Sequence, residues 1–206
     1  MGRYTKEEAV RIVVSCAQQY RDNLANKTLL LVYAQQDNVS YLELSFSASN
    51  YLHLTGLQTQ EGISATDFYN RCLSQRLRLE DFNLSKNGTS DLKLDILPKL
   101  INKNLSARMI GDYNSAMPKL YTEKLVGGVS ACMGFLSIGT SNKYVPNTVL
   151  KVDIRNYVNK PAKVIAIYRK PKEDLEYREI TYMAKNIVWE KLNYPAELIG
   201  LPRFAE

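Results

Sequence analysis

Leu120-Tyr121-Thr122-Glu123-Lys124-Leu125-Val126-Gly127-Gly128-Val129-Ser130-Ala131-Cys132-Met133-Gly134-Phe135-Leu136-Ser137-Ile138 is the stretch on which the fold reading turns. Two extended runs, Leu120 to Val126 and Val129 to Ile138, meet at a Gly-Gly pair, which marks a hairpin. Further on, Ala162 to Arg169 and Tyr177 to Ala184 repeat the pattern across Lys170-Pro171-Lys172-Glu173-Asp174. Hairpin connections make antiparallel neighbours, so these four runs predict a four-stranded antiparallel sheet. Gly139 to Pro161, between the hairpins, has no clean period and reads as a long ordered connection of the sort that often carries function.

Before Leu120 the periodicity is helical. Thr5 followed three residues later by Glu8 is a capping box, and Val10, Val13, Val14, Ala17 and Leu24 fit helical spacing, predicting a core-facing helix over Lys6 to Leu24. Ser64 with Asp67 opens another, with Phe68, Cys72 and Leu73 as its apolar stripe. Ser90 is placed to cap a third that carries Leu94, Ile96, Leu97 and Leu100 and is bent or broken at Pro98. Thr28 to Tyr33 and Val39 to Phe46 form an early extended pair around Gln36-Asp37-Asn38, and Asn186 to Leu192 suits one last helical turn. The fold class that follows is α+β, with N-terminal helices packed on a C-terminal four-stranded antiparallel sheet and an additional N-terminal hairpin. Without repeats, low-complexity tracts or Gly/Ser linkers, residues 1–206 read as one domain.

Composition narrows the class. A chain of 206 residues with 45% apolar content can bury a real core, and a net charge of +6 suits a polyanionic partner. Cys16, Cys72 and Cys132 are too dispersed for a disulfide framework or a zinc site, which points to a reducing cytosol. The start, Met1-Gly2-Arg3-Tyr4-Thr5-Lys6-Glu7-Glu8, has no apolar run of the signal-peptide kind, and no 18-residue apolar stretch follows. A soluble cytoplasmic protein with no membrane partner is expected.

Candidate chemistry centres on the only histidine, in Tyr51-Leu52-His53-Leu54-Thr55-Gly56-Leu57. An unperturbed imidazole is the side chain that titrates near neutrality. Read as a strand end, this stretch puts His53 and Thr55 on one face, with Gly56 allowing a tight turn. Arg71, Arg76 and Arg78 could line an anionic ligand but read as a solvated face. Asp91 and Asp95, four apart beside Lys93 and Lys99, read as surface carboxylates, so no metal is expected.

Four segments in order carry a resemblance: Leu52-His53-Leu54-Thr55-Gly56, Asp67-Phe68-Tyr69-Asn70-Arg71-Cys72-Leu73, Ala131-Cys132-Met133-Gly134-Phe135, and Val145-Pro146-Asn147-Thr148-Val149-Leu150-Lys151-Val152-Asp153-Ile154-Arg155. Together they resemble the signatures of the fourth phage-associated family of barnase/EndoU/colicin E5-D/RelE-like nucleases, over about Asn50 to Met183. The resemblance implies helices followed by a four-stranded antiparallel sheet, occurrence on phages or other mobile elements, and a metal-independent, toxin-like ribonuclease with no cofactor. Such cleavage needs a base for the ribose 2′-OH, donors or cations for the phosphorane, and an acid for the leaving 5′-oxygen. His53 can fill one proton-transfer role, so the other falls to a carboxylate, lysine, tyrosine or water. Thr55 is a candidate phosphate donor and Lys151 the preferred cation, with Arg71, Asn147, Thr148 and Arg155 as substrate-binding groups. The segment Pro146 to Arg155 is therefore expected to meet His53 at one cleft. RNA is the expected partner, together with a cognate inhibitor or antitoxin protein. The alternative is a non-catalytic RNA- or protein-binding module of a phage or mobile element.

Overall fold

A computed structural model describes residues 3–117, 119–139 and 142–202. Met1 and Gly2 of the N-terminal stretch, and residues 140 and 141 of the long connection, lie outside the described residues. Helix α1 (Lys6–Asn23) begins at the Thr5/Glu8 capping box, where the Glu8 amide donates to Thr5 Oγ1 at 3.2 Å and the Thr5 amide to Glu8 Oε2 at 2.8 Å. Strands β1 (Lys27–Gln35) and β2 (Asn38–Ser45) follow as a hairpin, then α2 (Asn50–Thr55), β3 (Gln58–Thr59), α3 (Ala65–Leu73), β4 (Phe82–Asn83) and α4 (Thr89–Leu100). The extended half comprises β5 (Met109–Tyr113), β6 (Lys124–Gly127), β7 (Cys132–Ser137), β8 (Lys143–Leu150), β9 (Val158–Pro171) and β10 (Glu179–Met183).

The architecture differs from the expected N-terminal helices packed on a four-stranded antiparallel sheet with an additional N-terminal hairpin. Strands β1, β2, β8, β7, β6, β5 and β9 are hydrogen-bonded in that order, and β9 pairs with β1 from Lys27↔Pro171 to Ala34↔Lys163, closing a barrel. Strand β10 hangs on the outer part of β9, and β3 and β4 make a separate two-stranded ribbon. The sheet is mixed, because β2 and β8 run parallel at Glu43↔Lys143 and Leu44↔Tyr144. Two strands explain the discrepancy. Strand β5 is short and carries Gly111 and Asp112, so it gives little apolar signal. In β8, Pro146 stands opposite Phe135 where the register shifts, so side-chain parity changes midway and no period survives in the sequence.

The pairing fixes where the helices sit. Strand β1 leaves the C-terminal end of α1, β2 returns to α2, and Lys151, just past the end of β8, meets α4. Helices therefore plug one end of the barrel. The other end is an open mouth framed by the β1–β2 turn, the end of β5 and the starts of β6, β8 and β9. Leu29, Leu31, Leu42, Leu44, Val126, Met133 and Val164 share one buried cluster with Ala9, Val13, Ala17 and Tyr20 of α1. Each fully buried aliphatic side chain of this kind contributes about 1.5–3 kcal/mol. On the outer side of β1, Leu30 and Val32 pack with Val39, Ile165 and Tyr168 beneath Trp189, Leu192 and Leu198 of the C-terminal segment. Burial on both faces is why β1 reads as an unbroken Leu-Leu-Leu-Val run rather than an alternation. Gly127 has no room for a side chain: a Cβ there would stand 2.4 Å from Ala131 O and 2.5 Å from Cys132 Cα.

Candidate active site

The histidine segment is a helix, not a strand. Asn50 Oδ1 accepts from the Ser47 amide at 2.9 Å and the Ser47 hydroxyl at 2.7 Å, which sets the first turn. Tyr51, Leu54 and Thr55 are buried at helical spacing, and Gly56 ends the helix at φ +71°. The alternation of Leu52 and Leu54 imitated a strand in a helix too short to show its period. Two residues apart on a helix is roughly 200° around it. Thr55 accordingly faces the core, where its hydroxyl donates to Leu52 O at 2.8 Å and accepts from the Leu57 amide at 3.1 Å. The His53 side chain faces outward, exposed and without a hydrogen bond to any described residue. Its backbone carbonyl accepts from Lys93 Nζ at 2.7 Å, and burial pushes that ammonium down to about 8. Ser90 does not cap α4, which starts from Gly88 at φ +76°. Its hydroxyl instead accepts from the Ser85 amide at 2.8 Å and donates to Gly56 O at 2.7 Å.

The other sequence candidates are engaged with partners. Lys151 Nζ donates to Asp95 Oδ2 at 2.7 Å, and the same carboxylate receives the Tyr4 hydroxyl at 2.6 Å and the Arg3 guanidinium at 2.5 Å. The hydrogen bonds from Lys151 and Tyr4 hold Asp95 below the usual carboxylate range. Asp91 accepts from the Arg3 and Tyr4 amides, so this pair of carboxylates anchors the start of the chain and is not free surface. Lys93 and Asp95 point about 200° apart on α4. His53 and Lys151 are thus held on opposite flanks of that helix, although Asn50 Nδ2 does tie α2 to Pro146 O of β8 at 3.3 Å. Arg71 pairs with Asp81 at 2.7 Å and Arg155 with Asp153 at 2.6 Å. Asn147 donates to Tyr121 O and accepts from the Thr122 hydroxyl at 3.3 Å, while Thr148 is buried beside Gly134.

The barrel mouth is one of several concave, polar places among the described residues. There a cleft of ≈ 590 Å³ is lined by Tyr33, Gln35, Ser40, Asp112, Lys124 and Lys160 among others. Lys124 Nζ donates to Asp112 Oδ1 at 2.5 Å across the β5–β6 register pair. The Lys124 side chain is 21% exposed and that of Asp112 66%. Burial alone pulls the Lys124 ammonium down, but the hydrogen bond and charge of Asp112 outweigh it, and the net shift is upward. Burial raises the Tyr33 hydroxyl, against the opposing charge of Lys124 and the lowering effect of its cross-strand partner Ser40. Tyr144 adds a second phenol close enough to couple electrostatically to both Tyr33 and Lys124. A cation, a carboxylate and two phenols held on paired strands form a set of donors and one acceptor suited to a phosphodiester.

Sequence reasoning passed over this set. Lys124 was legible only as a polar residue with the inward parity of Val126, Tyr33 as the last member of the Leu29, Leu31 series, and Asp112 belonged to a strand with no pattern. Cys16, Cys72 and Cys132 are buried free thiols that burial raises to about 12. Among the described residues, no group of three or more His, Cys, Asp or Glu is placed to hold a metal ion, and no helix is long and apolar enough to cross a membrane.

A family model described as phage-barnase-EndoU-colicin E5/D-RelE-like nuclease 4 matches residues 12–186. No curated protein and no solved structure matches the chain.

Proposed function

The chain belongs to this phage-associated barnase/EndoU/colicin E5-D/RelE-like nuclease family, and from that premise we propose that it cleaves RNA without a metal at the barrel mouth. The observation that carries the reading is the Lys124–Asp112 pair set beside Tyr33 in a concave cleft. A phosphate entering the mouth competes with Asp112 for the Lys124 ammonium and frees the carboxylate. Asp112 then takes the proton of the ribose 2′-OH as the 2′-oxygen attacks phosphorus. Lys124 offsets the charge that grows on the non-bridging oxygens, and the P–O5′ bond breaks. Tyr33, which burial keeps protonated at neutral pH, gives its proton to the departing 5′-oxygen. The products are a 2′,3′-cyclic phosphate and a 5′-hydroxyl. The test is incubation of the protein with a single-stranded RNA in EDTA, with end-group analysis. Cleavage with cyclic phosphate ends supports the reading, and cleavage that appears only when magnesium is restored refutes it.

A second reading keeps the chemistry at the plugged end of the barrel. His53 has an exposed, uncommitted imidazole, and the adjacent Lys93 ammonium titrates at about 8, so the two could share acid and base roles. The cleft at the mouth is not lined by either of them. Loss of cleavage in His53→Ala, with cleavage retained in Lys124→Ala, would favour this site.

A further inference from the structure

The segment that joins β5 to β6 carries Tyr121, whose side chain stands free in solvent at 86% exposure. Tyrosine usually hides its ring and leaves only the hydroxyl wet, so a phenol this open is unusual. The backbone beneath it is tied down. Asn147 Nδ2 donates to Tyr121 O, the Thr122 hydroxyl donates to Phe135 O at 3.1 Å, and the Glu123 amide donates to Phe135 O at 2.9 Å. The Tyr113 amide closes the other side on Glu123 O at 2.8 Å. Tyr121 lies three residues before Lys124, so its Cα is within about 10 Å of the Lys124 Cα at the rise of an extended chain. That is about the reach from a phosphate to the base of a neighbouring nucleotide.

We propose that Tyr121 is a stacking platform for a nucleobase beside the reacting phosphate, which makes single-stranded RNA the substrate class of this site. The inference rests on the placement of the chemistry at the mouth. An aromatic face on a fixed backbone binds any base without sequence preference and loses little conformational freedom in doing so. A base inside a duplex is already stacked on both faces and has none to offer. Asn147 is then a positioning residue that holds the platform through the Tyr121 carbonyl.

The test uses the full chain with a 2′-O-methyl single strand, which lacks the attacking hydroxyl and cannot be cleaved, and with the matching 2′-O-methyl duplex. Tyr121→Ala should weaken single-strand binding about 5- to 100-fold, the range for loss of one stacked base, and leave duplex binding unchanged. Tyr121→Trp should restore single-strand affinity, with its added emission quenched on binding. Thermal melts of both variants should match that of the parent. Unaltered single-strand affinity in Tyr121→Ala, or equal weakening toward strand and duplex, overturns the proposal. Because the probe is not cleaved, stacking is read independently of whether Lys124 and Asp112 perform the chemistry.

Discussion

Lys124 keeps its charge in a partly buried place because Asp112 lies against it, and in the proposed mechanism that charge meets the phosphate. Removing one preorganised donor of a developing oxyanion typically slows a reaction about 100- to 1,000-fold, which is the loss expected in kcat for Lys124→Ala. The variant should fold, since the Asp112 carboxylate it leaves unpaired is 66% exposed and can be hydrated. Thr55 illustrates the opposite case. Its hydroxyl satisfies the Leu57 amide and Leu52 carbonyl inside the core, so Thr55→Val should cost about 1–3 kcal/mol in denaturant unfolding and leave the proposed cleavage by the folded protein unchanged. Residue chemistry was only partly legible. Sequence alone picks out His53 because it is unique, but a lysine and a tyrosine become significant only when strand pairing brings them together, and Asp112 and Lys124 are separated by a loop with no periodicity.

Among the elements, α4 carries the clearest electrostatic device. Its Asp95 is held ionised by hydrogen bonds from Lys151 and Tyr4, and thereby joins the chain start and the end of β8 to one helix. A carboxylate whose folded-state pKa is depressed gives its stabilisation fully above its unfolded value, near 3.9, and loses it as pH falls through the folded value. Unfolding free energy should therefore drop as pH falls below about 4 in the parent. Asp95→Asn should be less stable at neutral pH and show a shallower acid loss in pH-dependent melts. At the end of α2, Gly56 occupies the left-handed region, and a Cβ there would lie 2.9 Å from Lys93 Cδ and 3.3 Å from Ser90 Cα. Gly56→Ala should cost about 1 kcal/mol or more by thermal melt. Elements with strong local signals, α1 with its capping box and the β1–β2 hairpin, are readable in the sequence. Strand β8 is not, because Pro146 and the register shift beside it scramble the pattern on which periodicity depends.

For the molecule as a whole, closure of the barrel separates two ends with different duties, one plugged by helices and one open and polar. Local sequence cannot show closure, since it depends on β9 pairing with β1 from more than a hundred residues away. His53 lies on helix α2 and Lys124 on strand β6, so the two candidate centres can be tested by separate substitutions. With a net charge of +6, the proposed binding of single-stranded RNA should be salt-dependent, log affinity falling by about 0.7 per neutralised phosphate for each tenfold rise in salt. The most direct test of where the chemistry lies is the single-turnover cleavage rate of one RNA, in EDTA, by the parent, Lys124→Ala and His53→Ala. Chemistry at the mouth predicts a rate at least about 100-fold lower in Lys124→Ala and a parental rate in His53→Ala. A parental rate in Lys124→Ala, with the loss appearing in His53→Ala, would contradict it.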